Sequence, residues 1–427
     1  MNSAVIALII LLFCVILFVT EWIPSVVAAC LGCTLMVLFN VSTFEQSFAG
    51  FSNSIVILMF SSLVVGNAMF DTGAAQFIGR QVIRFSRNSE KVFLMMLCVV
   101  GGLLSMFLAN TAVIAAFLPI IDSVCRISPK MHRRDFTLPM ALGVMFGGCS
   151  TLIGCTPQLT ANGILQSMSG IEMRMFDLTG PGLIMLGFFV LYTLFFGLKR
   201  GKKIWGDREE TALDIDPALT DSVSNAAINK KKFVTMMVIL CLMIVGYAGA
   251  WLTTTMTAII AALLCVITGC TNVKSIVRNL NWEPVIFLAA CLGLADSLTI
   301  SGAADLVSKG VFNLLGNVNS PLIVFAALVF LVTFISNFIT NSAAIIIILP
   351  IALSICATYG YNPLPFCIGI TFGGSFACST PLAASQISMT LVAGYKFSDY
   401  FKYTLPLALM TYAATVIIVP LFYPLVG

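Results

Sequence analysis

Two short pairs, Asn110-Thr111 and Asn341-Ser342, are the residues best placed to do chemistry in this chain. Each sets an amide beside a hydroxyl inside an otherwise apolar run, "FLANTAVIAAFLPI" (107–120) and "FITNSAAIIIILPI" (338–351), 231 residues apart. In that register Phe107 lies over Phe338 and Pro119 over Pro350. Amides and hydroxyls do not titrate near neutral pH; they donate N–H and O–H to an anion or turn oxygens to a cation. A second doubled interruption follows, "FGGCSTLIGCTP" (146–157) and "FGGSFACSTP" (372–381), each a glycine pair leading to Thr-Pro, with two residues fewer in the second copy. Residues 100–120, 140–165, 325–355 and 370–390 contain no Asp, Glu, Lys, Arg or His. Proton relays in membranes use titratable side chains, and none stands in these segments.

The elements that position these pairs must be transmembrane helices. Of 427 residues, 59% are hydrophobic and only 9% charged, and apolar runs near bilayer length recur along the whole chain. A shift of 229 places Trp22 over Trp251, Val56-Ile57 over Val285-Ile286 and Gly73-Ala74-Ala75 over Gly302-Ala303-Ala304, so the chain is a repeat. The first repeat spans 1–200, with scaffold helices in 1–70, a hairpin at 91–126, a broken helix at 136–168 and a helix at 178–198. A polar cytoplasmic linker, 201–230, joins it to the second repeat, 231–427, with scaffold helices in 232–298, a hairpin at 318–358, a broken helix at 364–394 and a helix at 400–424. The asparagine hairpin ends on the side where it began, whether it re-enters or crosses twice. The five remaining crossings per repeat invert the second copy. The fold class expected is all-α polytopic: two inverted repeats of five transmembrane helices plus one re-entrant hairpin each.

Charge supports the inversion. With both termini extracytoplasmic, only Arg174 and Lys309 of the 22 Lys and Arg fall outside, a strong positive-inside bias. Arg80, Arg84, Arg87, Lys91, Arg126, Lys130, Arg133 and Arg134 flank the first hairpin; Lys309 alone flanks the second. The two tips therefore approach the midplane from opposite faces. Each tip begins a half-helix whose free N–H groups favour an anion, while the carbonyls ending the incoming half-helix suit a cation. Irregular backbone at membrane depth needs protein or a water-filled cavity to satisfy it, so the four interruptions point to one central site. A neutral site of this kind binds Na⁺ and an anion together, each offsetting the other's charge, as in a symporter.

Other features read as structural. The fourteen cysteines lie scattered in apolar segments, and Cys30-x-x-Cys33 has no histidine near it; the one histidine, His132, lies in a basic loop, so neither metal nor disulfide chemistry is expected. Asp122 reads as interfacial, Glu283 and Asp296 as end caps of the third span of the second repeat, and 207–221 as a solvated loop.

At these residues the chain resembles the divalent anion:sodium symporters of the ion transporter superfamily, carriers of dicarboxylates, citrate or sulfate. "LLSMFLANTAVIAAFLPI" is similar to that family's first hairpin and "GGCSTLIGCTPQL" to its first break. The family's Ser-Asn-Thr triplets read here Ala109-Asn110-Thr111 and Thr340-Asn341-Ser342, so the leading serine is replaced twice. Residue by residue, the resemblance implies that Asn110, Thr111, Asn341 and Ser342 contact the anion, with Thr156, Pro157, Thr380 and Pro381 shaping the broken helices beside it. It assigns Ser105, Asn110 and Gly154 to a first Na⁺, and Thr340, Asn341 and Ser379 to a second. It further implies a homodimer in the cell (inner) membrane, an elevator motion of the hairpins against the scaffold, no enzymatic activity, no cofactor beyond Na⁺ as coupling ion, and no nucleic acid partner. A cation/proton antiporter or another ion permease of the superfamily remains the alternative, although superfamily members that exchange Na⁺ for H⁺ carry an aspartate beside the hairpin asparagine that this sequence lacks.

Overall fold

A computed structural model describes residues 3–20, 22–74, 77, 89–127, 131–206, 230–249, 251–303, 306, 320–381 and 384–426. Regular structure among them is helical, apart from one isolated bridge between Tyr361 and Val426. The first half contains α1 (Ser3–Thr20), α2 (Ser25–Leu38), α3 (Ser54–Asp71), α4 (Glu90–Ser105), α5 (Asn110–Ile127), α6 (Arg133–Gly148), α7 (Thr156–Ser169) and α8 (Thr179–Trp205), the last with a π-helical turn at Thr193–Gly197. The second half contains α9 (Lys230–Gly249), α10 (Thr254–Ile267), α11 (Glu283–Ile300), α12 (Pro321–Ser336), α13 (Asn341–Tyr359), α14 (Pro363–Ser375) and α15 (Phe397–Phe422). The order of elements in the first half thus recurs in the second, except that among the described residues α7 has no helix of comparable length as a counterpart.

Local chemistry accounts for the boundaries. Asn53 opens α3 by accepting the Ile55 N–H at 2.8 Å, and Thr253 opens α10 by accepting that of Met256 at 3.3 Å. Pro321 and Pro363 occupy first turns, where a missing N–H costs nothing. Gly170 and Gly360, both at φ +69°, end α7 and α13. Side chains such as Ile9, Leu12 and Ile16 of α1, or Val234, Val238 and Leu242 of α9, are exposed apolar groups suited to lipid. Among the described residues, six helices of 18 to 27 residues are long and apolar enough to cross a bilayer.

Two groups of helices emerge from the contacts. In the scaffold, α1 packs on α2 and α9 on α10, while α2 meets α11 and α3 meets α10, each second span holding the other half's third. In the other group, hairpin α4–α5 packs on α6 and hairpin α12–α13 on α14. The bridge between the groups is α7, which touches α3 and α11 on one side and α13 and α14 on the other.

Two sequence expectations need adjustment. First, α8 continues to Trp205 rather than ending near 198, because Lys199, Arg200, Lys202 and Lys203 complement the negative end of a helix; Lys202 also pairs with Glu90 at 2.6 Å. Second, the second broken helix does not resume as expected over 364–394. Among the described residues after α14 there are a helix at Ser385–Ser388 and a 3-10 turn to Ala393, and Pro381 lies in a turn. Asp122, read from the sequence as interfacial, pairs with Arg133 at 2.9 Å, fastening the end of α5 to the start of α6. Ala75, Arg80, Arg84, Arg87, Lys130, residues 207–229, Ala304 and Lys309 lie outside the described residues.

Candidate functional site

Each hairpin tip is built the same way. In the first, α4 ends at Ser105, a four-residue turn follows, and α5 begins at Asn110. The Ser105 hydroxyl donates to Asn110 Oδ1, and Asn110 Nδ2 donates to Cys155 Sγ at 2.9 Å, tying the tip to the first break. In the second, α12 ends at Ser336 and α13 begins at Asn341. Ser336 Oγ lies 2.8 Å from both Asn341 Oδ1 and the Gly374 carbonyl, while Asn341 Nδ2 donates to the Ser375 carbonyl at 3.3 Å. Both asparagines are buried.

Glycine is required where the first break meets this tip. A Cβ on Gly147 would stand 2.1 Å from the Gly102 carbonyl oxygen, and one on Gly148 2.2 Å from Asn110 Oδ1. Only a residue without a side chain lets α6 approach α4 so closely. Gly154 is pressed in the same way against the carbonyls of Gly148 and Ser105.

The tips open onto one cavity of about 320 Å³, within the range of small-molecule sites. Asn110, Thr111, Gly154, Thr156 and Pro157 line it from the first half, and Thr340, Asn341 and Ser342 from the second. Three helices, α5, α7 and α13, begin at this wall, so their N-terminal N–H groups and positive dipole ends face the space. No Lys, Arg or His is among the described residues lining it, and Glu283 is the one lining carboxylate.

The other assigned residues lie elsewhere. Ser105 is fully buried behind Asn110. Thr380 is not part of the cavity wall, because its hydroxyl donates to the Asn337 carbonyl at 2.5 Å. Pro381 is buried off the wall, its carbonyl accepting from Ser388. The Ser379 N–H donates to Asn337 Oδ1 at 2.9 Å, so Ser379 is tied to the side of the tip, whereas Ser336 and the Gly374 carbonyl gather on Asn341. The second break reaches the cavity through Ala384, Ser385 and Gln386 instead. Scaffold residues Ser25, Ser62, Asn281 and Glu283 complete the wall. Of the residues overlooked in the sequence, Ser336 is signalled by the same shift of 231 that aligns the asparagines, since it falls on Ser105. Asn67, in contrast, lies off the cavity and donates to Asp71, Thr271 and Ser275 at 3.2 to 3.3 Å.

Comparison with known proteins decides the family. The citrate transporter family, CitMHS, matches residues 15–345. The chain belongs to that family. Relatives of this citrate transporter family member include an uncharacterized transporter of Synechocystis, 28% identical over 43% of this chain, and the Escherichia coli transporter YfbS, 30% identical over 39%. The matched regions span only 30% and 27% of the length of those two relatives. A sodium-dependent dicarboxylate transporter, SdcS of Staphylococcus saprophyticus, is 22% identical over 92% of this chain and 81% of its own. Among solved structures, MtrF of Neisseria gonorrhoeae aligns with a TM-score of 0.65 at 15% identity, covering 100% of this chain and 96% of that one. The YdaH transporter of Alcanivorax borkumensis aligns at 0.61 and 13% identity, covering 92% and 90%. The fold is thus that of multi-pass membrane transporters.

Proposed function

We propose that this protein is a secondary active transporter of small divalent anions, dicarboxylate, citrate or sulfate, coupled to Na⁺ in symport. The observation that carries the reading is the meeting of both Asn-hydroxyl pairs in one cavity with no cationic side chain among the described residues that line it. Helix N-termini and neutral donors attract a dianion, but a full balancing charge must come from elsewhere. Cations carried with the substrate supply it.

The oxygens behind each tip support where those ions rest. Ser336 Oγ lies 2.8 Å from both Asn341 Oδ1 and the Gly374 carbonyl, so three oxygens converge behind the second tip. Ser105 Oγ, Asn110 Oδ1 and the carbonyls crowding Gly154 form the corresponding set in the first half. Hard oxygen donors of this kind suit Na⁺. SdcS, similar over most of its length, is a sodium-dependent dicarboxylate transporter by name. The proposal includes an elevator motion, in which the hairpins, α6, α7 and α14 move against the scaffold, a homodimer, and both termini outside the cytoplasm.

Purified protein in proteoliposomes tests it. Labelled succinate, citrate or sulfate should accumulate under an inward Na⁺ gradient and continue to do so when the proton gradient is collapsed. Asn110→Ala and Asn341→Ala should each lose most uptake. Uptake that follows the proton gradient and ignores Na⁺ would refute symport with sodium, and full activity in either alanine variant would refute the two-tip site.

A further inference from the structure

We propose that Gln158 is an additional oxygen ligand of the cation at the first hairpin tip, and that the two cation sites are therefore unequal. The inference rests on the sodium reading above, and its test is arranged so that the two can fail separately.

Gln158 stands in the first turn of α7, directly after Thr156-Pro157, and is fully buried. Apart from the Cys155 thiol, neither its Oε1 nor its Nε2 has a hydrogen-bond partner. A carboxamide brings two donors and two acceptor lone pairs, and burying them against no more than a thiol is costly enough that native proteins rarely do so without a ligand or water in view. The surroundings indicate which ligand. Gln158 lies beside the Cys155 thiol, the same sulfur that Asn110 Nδ2 donates to. It is not among the residues that line the anion cavity. Cys155 Sγ in turn packs against Gly148, where Ser105 Oγ and Asn110 Oδ1 also crowd, and the Ser105 and Gly148 carbonyls press on the neighbouring Gly154. An oxygen-rich, water-excluded pocket calls for a cation and not for a second anion, and a carboxamide can turn Oε1 toward it without changing the net charge.

The second half lacks this side chain. Counting from each Thr-Pro, the position of Gln158 falls on Leu382, which is apolar. Both tips are closed by a hydroxyl on a turn carbonyl, Thr151 on Met106 and Thr380 on Asn337, but the second has in addition Ser379 N–H donating to Asn337 Oδ1 at 2.9 Å. The first tip has Met106 where the second has Asn337, so it has no such side chain of its own to offer. The first cation site accordingly has one more neutral oxygen and the higher affinity, and it fills at the lower Na⁺ concentration.

Gln158→Met keeps the shape and removes the oxygen; Gln158→Glu keeps the oxygen and adds charge. Two measurements are made on purified protein: thermal unfolding with and without Na⁺, anion absent, and Na⁺-dependent uptake. The expected result for Gln158→Met is a midpoint in Na⁺-free buffer at or above wild type, since an amide paired with no more than a thiol has been removed, together with a smaller Na⁺-induced rise and a roughly tenfold higher Na⁺ half-saturation. Gln158→Glu should retain the Na⁺-induced rise. A purely structural glutamine would give the opposite pattern in Gln158→Met, a lower midpoint without Na⁺ and an unchanged Na⁺-induced rise, and that result overturns the assignment while leaving sodium symport intact. If wild-type protein shows neither a Na⁺-induced rise nor Na⁺-dependent uptake, the symport reading and this one fall together.

Discussion

Gly148→Ala is the smallest change that tests whether the first tip works as a geometric unit. Its Cβ would stand 2.2 Å from Asn110 Oδ1, 2.8 Å from Cys155 Sγ and 3.0 Å from Ser105 Oγ. Ordinary contact begins near 3.4 Å, so the Asn110 oxygen has to retreat by about 1.2 Å. That retreat breaks its contact with Ser105 and misaligns its donation to Cys155, each worth about 1 kcal/mol, on top of about 1 to 3 kcal/mol of overpacking. An asparagine moved this far no longer meets a charged ligand, a loss of about 1.5 to 3 kcal/mol, or roughly ten- to more than a hundredfold in apparent affinity.

Uptake into proteoliposomes over a range of anion concentrations, with thermal unfolding in detergent, measures both effects. Gly187→Ala is the control: nothing lies within 4 Å of its Cβ, and it faces outward from α8, so helix propensity should raise stability by up to about 1 kcal/mol without changing transport. Gly148→Ala combined with Asn110→Ala removes the shortest of these contacts, leaving those with Cys155 Sγ and Ser105 Oγ, and should recover part of the stability but not transport. Wild-type half-saturation in folded Gly148→Ala protein would refute the account, and so would recovery of transport in the double variant.

Thr380→Val should lower stability by about 1 kcal/mol, read by thermal unfolding, with little change in anion half-saturation, because its hydroxyl serves the Asn337 carbonyl; Thr156→Val, on the cavity wall, should raise that half-saturation severalfold in uptake assays. In a cysteine-free background, cysteines at Lys203 and Arg174 should react with an impermeant thiol reagent from opposite sides, Arg174→Cys from outside, since they flank the two ends of α8. Asp135, among the charged residues at the start of α6, is pushed above the usual carboxylate range by burial, against the lowering effect of the Trp205 N–H at 2.8 Å. A carboxyl raised in the folded state contributes stability below its unfolded value and loses it as pH rises through the folded one. Asp135→Asn should therefore leave the unfolding midpoint unchanged in acid and raise it in alkaline buffer.

The tips were legible in the sequence because their signal is short-range and doubled. Asn110 and Asn341 each interrupt an apolar run at the point where a half-helix must begin, and helix starts depend on a few adjacent residues. Thr156-Pro157 was legible for the same reason, since proline in a first turn is a local preference and α7 does begin there. Thr380-Pro381 has the same letters and a different fate. What separates them is tertiary: Asn337 reaches across from the tip and binds both Ser379 and Thr380, and no feature of residues 372–381 announces that partner. The scaffold side of the cavity, Ser25, Asn281 and Glu283, was equally hidden. It depends on which face of each span turns inward, and spans of nearly uniform hydrophobicity carry little periodicity to say so.

The two halves nevertheless arrive at one device by different residues. In the first, the Thr151 hydroxyl donates to the Met106 carbonyl; in the second, Thr380 donates to the carbonyl of Asn337, which stands 231 residues after Met106. Each hydroxyl fastens a break to the end of the incoming half-helix, satisfying a carbonyl that helix termini leave without an internal partner. Thr151 precedes its Thr-Pro pair by five residues, whereas Thr380 belongs to one. The structural counterpart of Thr380 is thus Thr151 and not Thr156. Sequence alignment by motif pairs the wrong threonines, because what the repeat repeats is the requirement to close each tip. With Thr380 occupied in that closure, the second break presents Ser385 and Gln386 to the cavity, while the first remains free to present Thr156 and the start of α7. The cavity wall therefore presents three helix N-termini without symmetry, two from the first half and one from the second, although the repeats that build it are alike.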